Sequence, residues 1–150
     1  MFIAKVENGQ VGEIIDFRTY FGKTNSVTDE QLAAQGFVRV NLFRDHDRLT
    51  QKLVPATPVL ENGWVYTVAV ADLTAEEIQS AKDSAMAQIR GQRNSLLAAC
   101  DWTQIADSTA DKTAWVTYRS ALRNLPSTMT GDPRTFKDWP HDPNWVDRTI

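Results

Sequence analysis

Short runs of alternating apolar and polar residues fill the first half of the chain, which is the pattern of half-buried β-strands. Residues 2–7 alternate in this way, and a second alternating run continues through Val11 and Ile15. Asn8-Gly9 separates the two runs, and this pair readily adopts the positive φ angles of a tight hairpin turn. The pattern therefore predicts a β-hairpin over the first residues.

Further alternating runs predict more strands, at residues 37–43 and 64–70. A second Asn-Gly pair, Asn62-Gly63, directly precedes the latter run and predicts another hairpin. The strand before that turn, at 52–60, contains two prolines. Because proline cannot donate a hydrogen bond to a neighbouring strand, we expect this strand at a sheet edge. Together these runs predict a small antiparallel β-meander over residues 1–73.

The segment between the second and third predicted strands combines a loop signal with a helix signal. Residues 16–27 have no clean period and predict a loop. We expect its aromatic side chains to be pinned to the core, and these are Phe17, Tyr20 and Phe21. The alternative is a partner-binding loop, which would need a covering surface. Thr28 and Gln31 have the spacing of a capping box, which predicts a short helix over 29–35.

From residue 74 onwards the apolar residues recur at helical spacing. Thr74 and Glu77 form a second capping-box pattern, and an apolar stripe continues from there to Cys100. These signals predict a long helix from about 75 to 99.

A second helix is predicted near residues 110–124. Its apolar stripe steps by three, four and three residues through Trp115, Tyr118, Leu122 and Leu125. Pro126 is expected to end it, because proline disfavours a helical conformation in the residue before it. Capping patterns also occur at Asp101 with Gln104 and at Ser108 with Asp111.

Residues 127–150 contain three prolines and little periodicity, which indicates an extended tail. It is either docked on the protein through Phe136, Trp139 and Trp145 or partly mobile. The whole pattern predicts an α+β fold with three regions. These are a β-rich N-terminal domain at 1–73, a helical hairpin module at 74–126 and a Pro- and Trp-containing extended tail at 127–150.

Composition and charge narrow the classes of function. The 150 residues are 42% hydrophobic and 23% charged, which is typical of a folded protein. A net charge of −3 argues against broad binding to a phosphate backbone. No apolar run approaches the roughly 20 residues that span a bilayer, and the first residues do not resemble a signal peptide. We therefore expect neither nucleic acid nor membrane as a partner.

Few residues offer catalytic or metal chemistry. The single Cys100 excludes an internal disulfide and, on an apolar helical stripe, is best interpreted as a buried structural residue. Asp45, His46 and Asp47 could touch a hard cation, but we favour a solvated loop because Ca²⁺ takes six or more oxygen ligands. The sequence contains no nucleophile elbow and no glycine-rich phosphate loop. We therefore predict no enzyme, no metal and no cofactor.

Aromatic residues concentrate after residue 100 and indicate a recognition surface, because Trp, Tyr and Arg are the commonest interface hot spots. The candidate partner-binding residues are Trp102, Trp115, Tyr118, Arg119, Trp139 and Trp145. For the first two we favour a small helical core, in which the arginines pair with Asp101 or Asp107. For the last two, a core position and a partner contact are supported equally.

Three sequence elements occur in an order that resembles a known protein family. They are residues 93–104 (RNSLLAACDWTQ), residues 115–126 (WVTYRSALRNLP) and the pair Trp139-Pro140. Over about residues 90–140 this set resembles the bacteriophage tail assembly chaperone family. The N-terminal half more loosely resembles the β-rich region that often precedes this module in phage proteins. The resemblance implies a non-enzymatic tail or tail-fibre assembly protein that binds a fibre or tail protein through its aromatic surface.

The resemblance also implies where the protein acts and with what. Its partner would be a phage tail-fibre or other tail protein, bound in the host cytoplasm during assembly. One alternative is a permanent virion component, such as an adaptor of the tail, baseplate or fibre, retained in the virion tail.

Ala81 and Ala85 add the hypothesis of a homo-oligomer through the 75–99 helix. A lysin-like hydrolase is a third alternative, and it would need a deep pocket that gathers Asp45, His46 and Asp47 with another acid.

Overall fold

The computed structural model describes residues 1–22 and 27–144. It divides the chain into two compact units, Met1–Leu73 and a second that begins at Thr74. The predicted α+β class is confirmed, because strands form the first unit and helices dominate the second. The finer division into 1–73, 74–126 and 127–150 stays a prediction.

The first unit contains a five-stranded sheet with the strand order β2-β1-β3-β5-β4. Its strands are β1 (Phe2–Glu7), β2 (Gln10–Asp16), β3 (Phe37–Asn41), β4 (Gln51–Glu61) and β5 (Trp64–Asp72). Both predicted hairpins are present, as the antiparallel pairs β1–β2 and β4–β5. The residues of both Asn-Gly turns have φ angles between 49° and 78°, as a primed hairpin turn requires.

One strand pair departs from the predicted antiparallel meander. β3 and β5 run parallel, with Val40 opposite Val65. The chain leaves β3, forms the edge strand β4 and returns beside β3 as β5, so β3 and β5 have the same direction. A parallel pair needs such a crossover, and residue alternation within each strand does not encode it. The edge position of β4 confirms the prediction made from its two prolines.

Two short helices, α1 (Phe17–Phe21) and α2 (Asp29–Ala34), pack against this sheet. The core of the first unit consists of Ile3, Phe17, Leu32 and Phe37, with Ile15, Phe21 and Val27 packed around it. α2 begins with the predicted capping box between Thr28 and Gln31. Tertiary burial stabilises helices this short, because an isolated helix of one or two turns is unstable in water.

Helix α1 corrects the prediction of a loop at 16–27. The Asp16 carboxylate accepts a hydrogen bond from the backbone N–H of Arg18 and so starts a helical turn that is too short to show a period. Phe17 and Phe21 pack into the core as predicted, whereas Tyr20 is half exposed. Residues 23–26 of the predicted loop lie outside the described residues.

The described part of the second unit consists of two helices, two 3-10 turns and irregular chain. These elements are α3 (Ala75–Ala99), a 3-10 turn at Asp101–Gln104, α4 (Lys112–Thr128) and a 3-10 turn at Pro133–Thr135. α3 has the predicted bounds, and the predicted capping box between Thr74 and Glu77 is present. Both helices contribute to the core of this unit, through Ile89 of α3 and Leu125 of α4.

Two predictions about α4 were wrong. The helix begins after Asp111, whose carboxylate accepts hydrogen bonds from the second and third backbone N–H groups, so the Ser108 pattern does not start it. It also continues past Pro126 to Thr128. The hydroxyls of Ser127 and Thr128 both donate to the carbonyl of Asn124, which supports the last turn after the proline has removed one backbone donor.

The cap at Thr74 gives a direct test of how α3 begins. Replacement of Thr74 by Ala removes the hydroxyl that accepts from the Glu77 N–H at 3.1 Å. We expect T74A to lower the free energy of unfolding of the second unit by about 1 kcal/mol, and T74S to preserve it. Thermal unfolding followed by helical circular dichroism measures both. Equal losses in the two variants would contradict a capping role of the hydroxyl.

Candidate functional site

A cluster of aromatic and aliphatic side chains joins the end of α3 to α4. Its buried members are Cys100, Trp115, Tyr118 and Leu122, and Leu96, Leu97, Ala110 and Trp139 pack against them. We refer to the four buried residues together with Leu96, Leu97 and Ala110 as the aromatic cluster, on which Trp139 packs. The four-residue stripe predicted on α4 forms part of the core, since all its members are buried. The sequence spacing of Trp115, Tyr118 and Leu122 thus places them on the face of α4 that meets α3.

Three rings of this region contact one another edge to face. The centroids of Trp102 and Trp115 lie 5.9 Å apart at 62°, and those of Trp115 and Tyr118 lie 5.7 Å apart at 80°. Such pairs contribute about 0.5–1.5 kcal/mol each beyond the area they bury. The first ring is the exception to the predicted core, because Trp102 is 52% exposed whereas Trp115 is 7% exposed.

Arg119 binds the end of α3 to α4 from within the protein. Its side chain is buried, and Nη1 donates to the carbonyl oxygen of Leu97 at 2.9 Å and to Sγ of Cys100 at 3.0 Å. Nη2 lies 2.7 Å from Oδ1 of Asp101, which is the pairing predicted as one of two alternatives. The Leu97 carbonyl belongs to the last turn of α3, where carbonyl groups lack helical partners and the helix dipole favours a cation.

The surroundings of Arg119 keep its guanidinium charged. Burial lowers the pKa of Arg119, but the hydrogen bonds of Asp101 and Cys100 outweigh burial and raise it above the ordinary value. Its Nε is buried and has no hydrogen-bond acceptor among the residues that the structure describes. In the same cluster, burial also raises the pKa of the Tyr118 phenol. These groups therefore keep one protonation state near neutral pH and are suited to structure, not to proton transfer.

Cys100 has the buried structural position predicted for it. Its side chain is 3% exposed, and its Sγ donates to the Leu97 carbonyl at 3.2 Å while it accepts from Arg119. The thiol therefore completes the polar contacts at the end of α3.

The segment after α4 returns to the aromatic cluster. Phe136 and Trp139 contact each other edge to face with centroids 5.4 Å apart, and Trp139 packs on the cluster. Both rings stay partly exposed. Trp139 thus docks the tail on the cluster, which is one of the two predicted alternatives, and the ring contact of Phe136 is with Trp139. Trp145, the third predicted anchor, lies outside the described residues.

An ionic group at the start of this segment was missed by sequence reasoning. Arg134 donates from Nε and Nη2 to the Asp132 carboxylate at 3.0 and 2.7 Å, and Nζ of Lys82 on α3 lies 3.9 Å from it. Hydrogen bonds from Arg134 lower the pKa of Asp132 to about 2. The signal in the sequence was Asp132-Pro133, because an acidic cap before a proline is typical of a helical turn.

The other candidate chemistry lies in the first unit. The Nδ1 atom of His46 lies 2.8 Å from the carbonyl oxygen of Arg44, and the Asp47 carboxylate accepts from the Leu49 N–H and the Thr50 hydroxyl. Within residues 1–22 and 27–144, no three His, Cys, Asp or Glu side chains are placed to hold a metal ion.

A groove of about 840 Å³ lies beside the β1–β2 hairpin. Lys5, Glu13, Tyr20 and Phe37 are among the residues that line it. Lys5 directs its ammonium to the face of the Phe37 ring at 4.9 Å and donates to the carbonyl of Gln35. The Asp45–Asp47 loop does not line this groove, so the groove is not the pocket that the hydrolase alternative requires.

Comparison with known proteins adds one finding. Residues 86–144 match the family model described as phage tail assembly chaperone protein. The match contains the whole stretch of residues 90–140 on which the resemblance was based, and it confirms that resemblance. It includes every described member of the aromatic cluster. Neither the curated proteins nor the solved structures provide a match. In the described ranges, none of the helices combines the length and the apolar content that a bilayer span requires.

The buried contacts of Arg119 can be tested by matched substitutions on α4. Replacement of Arg119 by Met leaves the Leu97 carbonyl and Asp101 without their donor, and we expect it to lower the free energy of unfolding by about 2–4 kcal/mol. Asp101 is 66% exposed in its side chain, so D101N should cost under about 1 kcal/mol. R123M, on the exposed side of the same helix, serves as the control. Equal losses in R119M and R123M in urea unfolding would contradict the role assigned to Arg119.

The lowered pKa of Asp132 predicts a pH dependence of the turn that begins the tail, since hydrogen bonds from Arg134 of the same turn are its main cause and the charge of Lys82 on α3 adds a smaller effect. Because the pKa is depressed in the folded state, the stabilisation is complete above the ordinary value of 3.8 and is lost as the pH falls towards 2. We expect the indole N–H signal of Trp139 in NMR spectra to shift over this range. In D132N the signal should already have its low-pH position at pH 5. A D132N spectrum identical to that of the unmodified chain at pH 5 would refute the coupling.

Proposed function

We propose that this protein is a non-enzymatic assembly protein of a phage tail or tail fibre. It binds a tail or fibre protein through the surface around Trp102 and covers apolar surface of that partner until assembly. The family match over residues 86–144 supports this proposal, since it includes the entire aromatic cluster and the Trp102 turn. The proposed place of action is the host cytoplasm during assembly.

The half-exposed ring of Trp102 carries the proposal. Its edge-to-face contact with buried Trp115 holds the ring in place, so binding a partner costs little side-chain entropy. An exposed tryptophan whose ring is held by a buried aromatic neighbour has the properties of an interface hot spot. Burial of the exposed half of this ring would contribute about 2–3 kcal/mol before the costs of association.

In this proposal two further exposed apolar side chains extend the surface. Ile105 and Val116 are 55% and 49% exposed, and each lies close in sequence to a ring of the Trp102–Trp115 pair. Asp101 exposes most of its carboxylate while it holds Arg119. An apolar centre beside an exposed charged group is the usual composition of a protein interface. In this proposal Trp102 contacts the partner, whereas Trp115, Tyr118 and Arg119 position it from the core.

The proposal can be tested by co-expression with the tail and fibre proteins of the phage genome that encodes the chain. We expect one of these proteins to co-purify with the chain and to gain soluble yield. W102A should weaken this complex by about tenfold or more, as loss of a hot spot does, with the fold retained. W64A is the control, because Trp64 is an exposed tryptophan of the first unit.

Two outcomes would contradict the proposal. One is unchanged solubility, yield and oligomeric state of every tail and fibre protein in the absence of the chain. The other is equal binding by W102A and W64A.

Mass spectrometry of purified particles distinguishes the permanent virion component, which is present in stoichiometric amounts, from an assembly factor that leaves. Light scattering of the purified chain tests self-association through α3, where Ala81 and Ala85 lie partly buried.

A further inference from the structure

The segment that follows α4 lies along α3 and then on the aromatic cluster. At its start, Asp132 faces Lys82, near the first third of α3. At its end, Trp139 packs on the cluster that includes Leu96 and Leu97 in the last turn of α3. We call residues 132–140 the strap.

The length of the strap agrees with this course. α3 advances about 21 Å between Lys82 and Leu96, at 1.5 Å per residue. The strap from Asp132 to Trp139 begins with a 3-10 turn and continues as irregular chain, and the two parts together can reach at most about 20 Å. This reach is comparable with the distance along the helix. Trp139 at the end of the strap packs on the cluster, and Phe136 contacts Trp139.

Side chains, not a ladder of backbone hydrogen bonds, hold the strap in place. After Thr135 the described residues of the segment form neither helix nor strand. Phe136 and Trp139 pack ring against ring, and the backbone N–H of Trp139 donates to the carbonyl of Lys137 at 3.0 Å, which folds the chain between the two rings. Segments of this kind open at a low free-energy cost, since few buried contacts and few backbone bonds oppose opening.

The surface beneath the strap does not depend on it. Trp115, Tyr118 and Leu122 are fixed on α4, and Arg119 joins α4 to the last turn of α3 through Leu97 and Cys100. Departure of the strap would thus uncover a preformed apolar surface. That surface is continuous with the exposed ring of Trp102, which contacts Trp115 directly.

We propose that the strap occupies a peptide-binding surface of the module and is displaced by the partner. The ligand is an extended segment of the partner protein with two aromatic side chains three residues apart, as in Phe136 and Trp139. This inference rests on the proposed function and specifies the kind of segment that the partner supplies. The strap lowers the apparent affinity for the partner, because only molecules with an open strap can bind.

A peptide with the sequence of residues 131–144 tests the proposal without any phage partner. Labelled peptide is titrated into the full chain and into the double variant F136A/W139A. We expect the double variant to bind it about tenfold more tightly or better, since its own strap no longer competes. K137A, an exposed substitution between the two rings, should bind like the unmodified chain. A peptide with Ala at both aromatic positions should bind to none of them.

Equal affinity of the double variant and the unmodified chain, or binding by neither, would overturn the proposal. Where the double variant does not fold, D132N decides, because Asp132 begins the strap, contacts Arg134 of the strap and Lys82 of α3, and is not a member of the aromatic cluster. We expect D132N to bind the peptide about threefold more tightly than the unmodified chain, and an unchanged affinity would refute the strap. Failure of the co-expression experiment together with tight peptide binding would refute the phage partner and leave the strap intact.

Discussion

The guanidinium of Arg119 is the contact on which the second unit depends. Hydrogen-bond acceptors and an opposite charge stabilise a buried cation, and three contacts of this guanidinium go to the short stretch from Leu97 to Asp101. That stretch is where α3 ends and the 3-10 turn begins, so the same side chain closes the helix and sets the direction of the chain after it. The position of Trp102 follows directly, because it is the next residue. One buried charge therefore determines where an exposed aromatic ring stands.

Local signals in the sequence predicted most helices and strands correctly. The predictions that were wrong have a common cause. The Asn-Gly turns and the capping boxes at Thr28 and Thr74 act between residues at most three apart, and these were correct. The parallel pairing of β3 with β5 depends on the path between them, which no local pattern records. The extra residues of α4 beyond Pro126 depend on hydroxyl groups that compensate for the missing donor. Sequence reasoning succeeded where the stabilising contact is local and failed where a distant or compensating contact decides.

The candidate site shows the same limit at the level of single side chains. Helical spacing correctly placed Trp115 and Tyr118 in a core, since a stripe at steps of three and four has one buried face. Trp102 lies in a 3-10 turn outside that stripe, so periodicity carried no information about its exposure. The contact of Arg119 with the Leu97 carbonyl gives no signal in the sequence, because every residue carries a backbone carbonyl. Its contact with the Cys100 sulfur was also missed, because that residue was interpreted only as an apolar member of the helical stripe. Only the pairing with Asp101 could be anticipated, from opposite charges.

The distribution of rigid and loosely held aromatic residues has a consequence for binding. A ring such as Trp102, fixed by Trp115, offers affinity without an ordering cost, but its area alone is too small for a stable complex. Trp139, whose ring contacts Phe136, covers part of the apolar area of the cluster and so reduces the exposed patch that would drive aggregation of the free protein. A partner that first engages the fixed ring gains the rest of its surface only by replacing the strap. Because that exchange trades one set of aromatic contacts for a similar set, the proposed complex can be specific and still reversible, as the proposed role of an assembly factor requires.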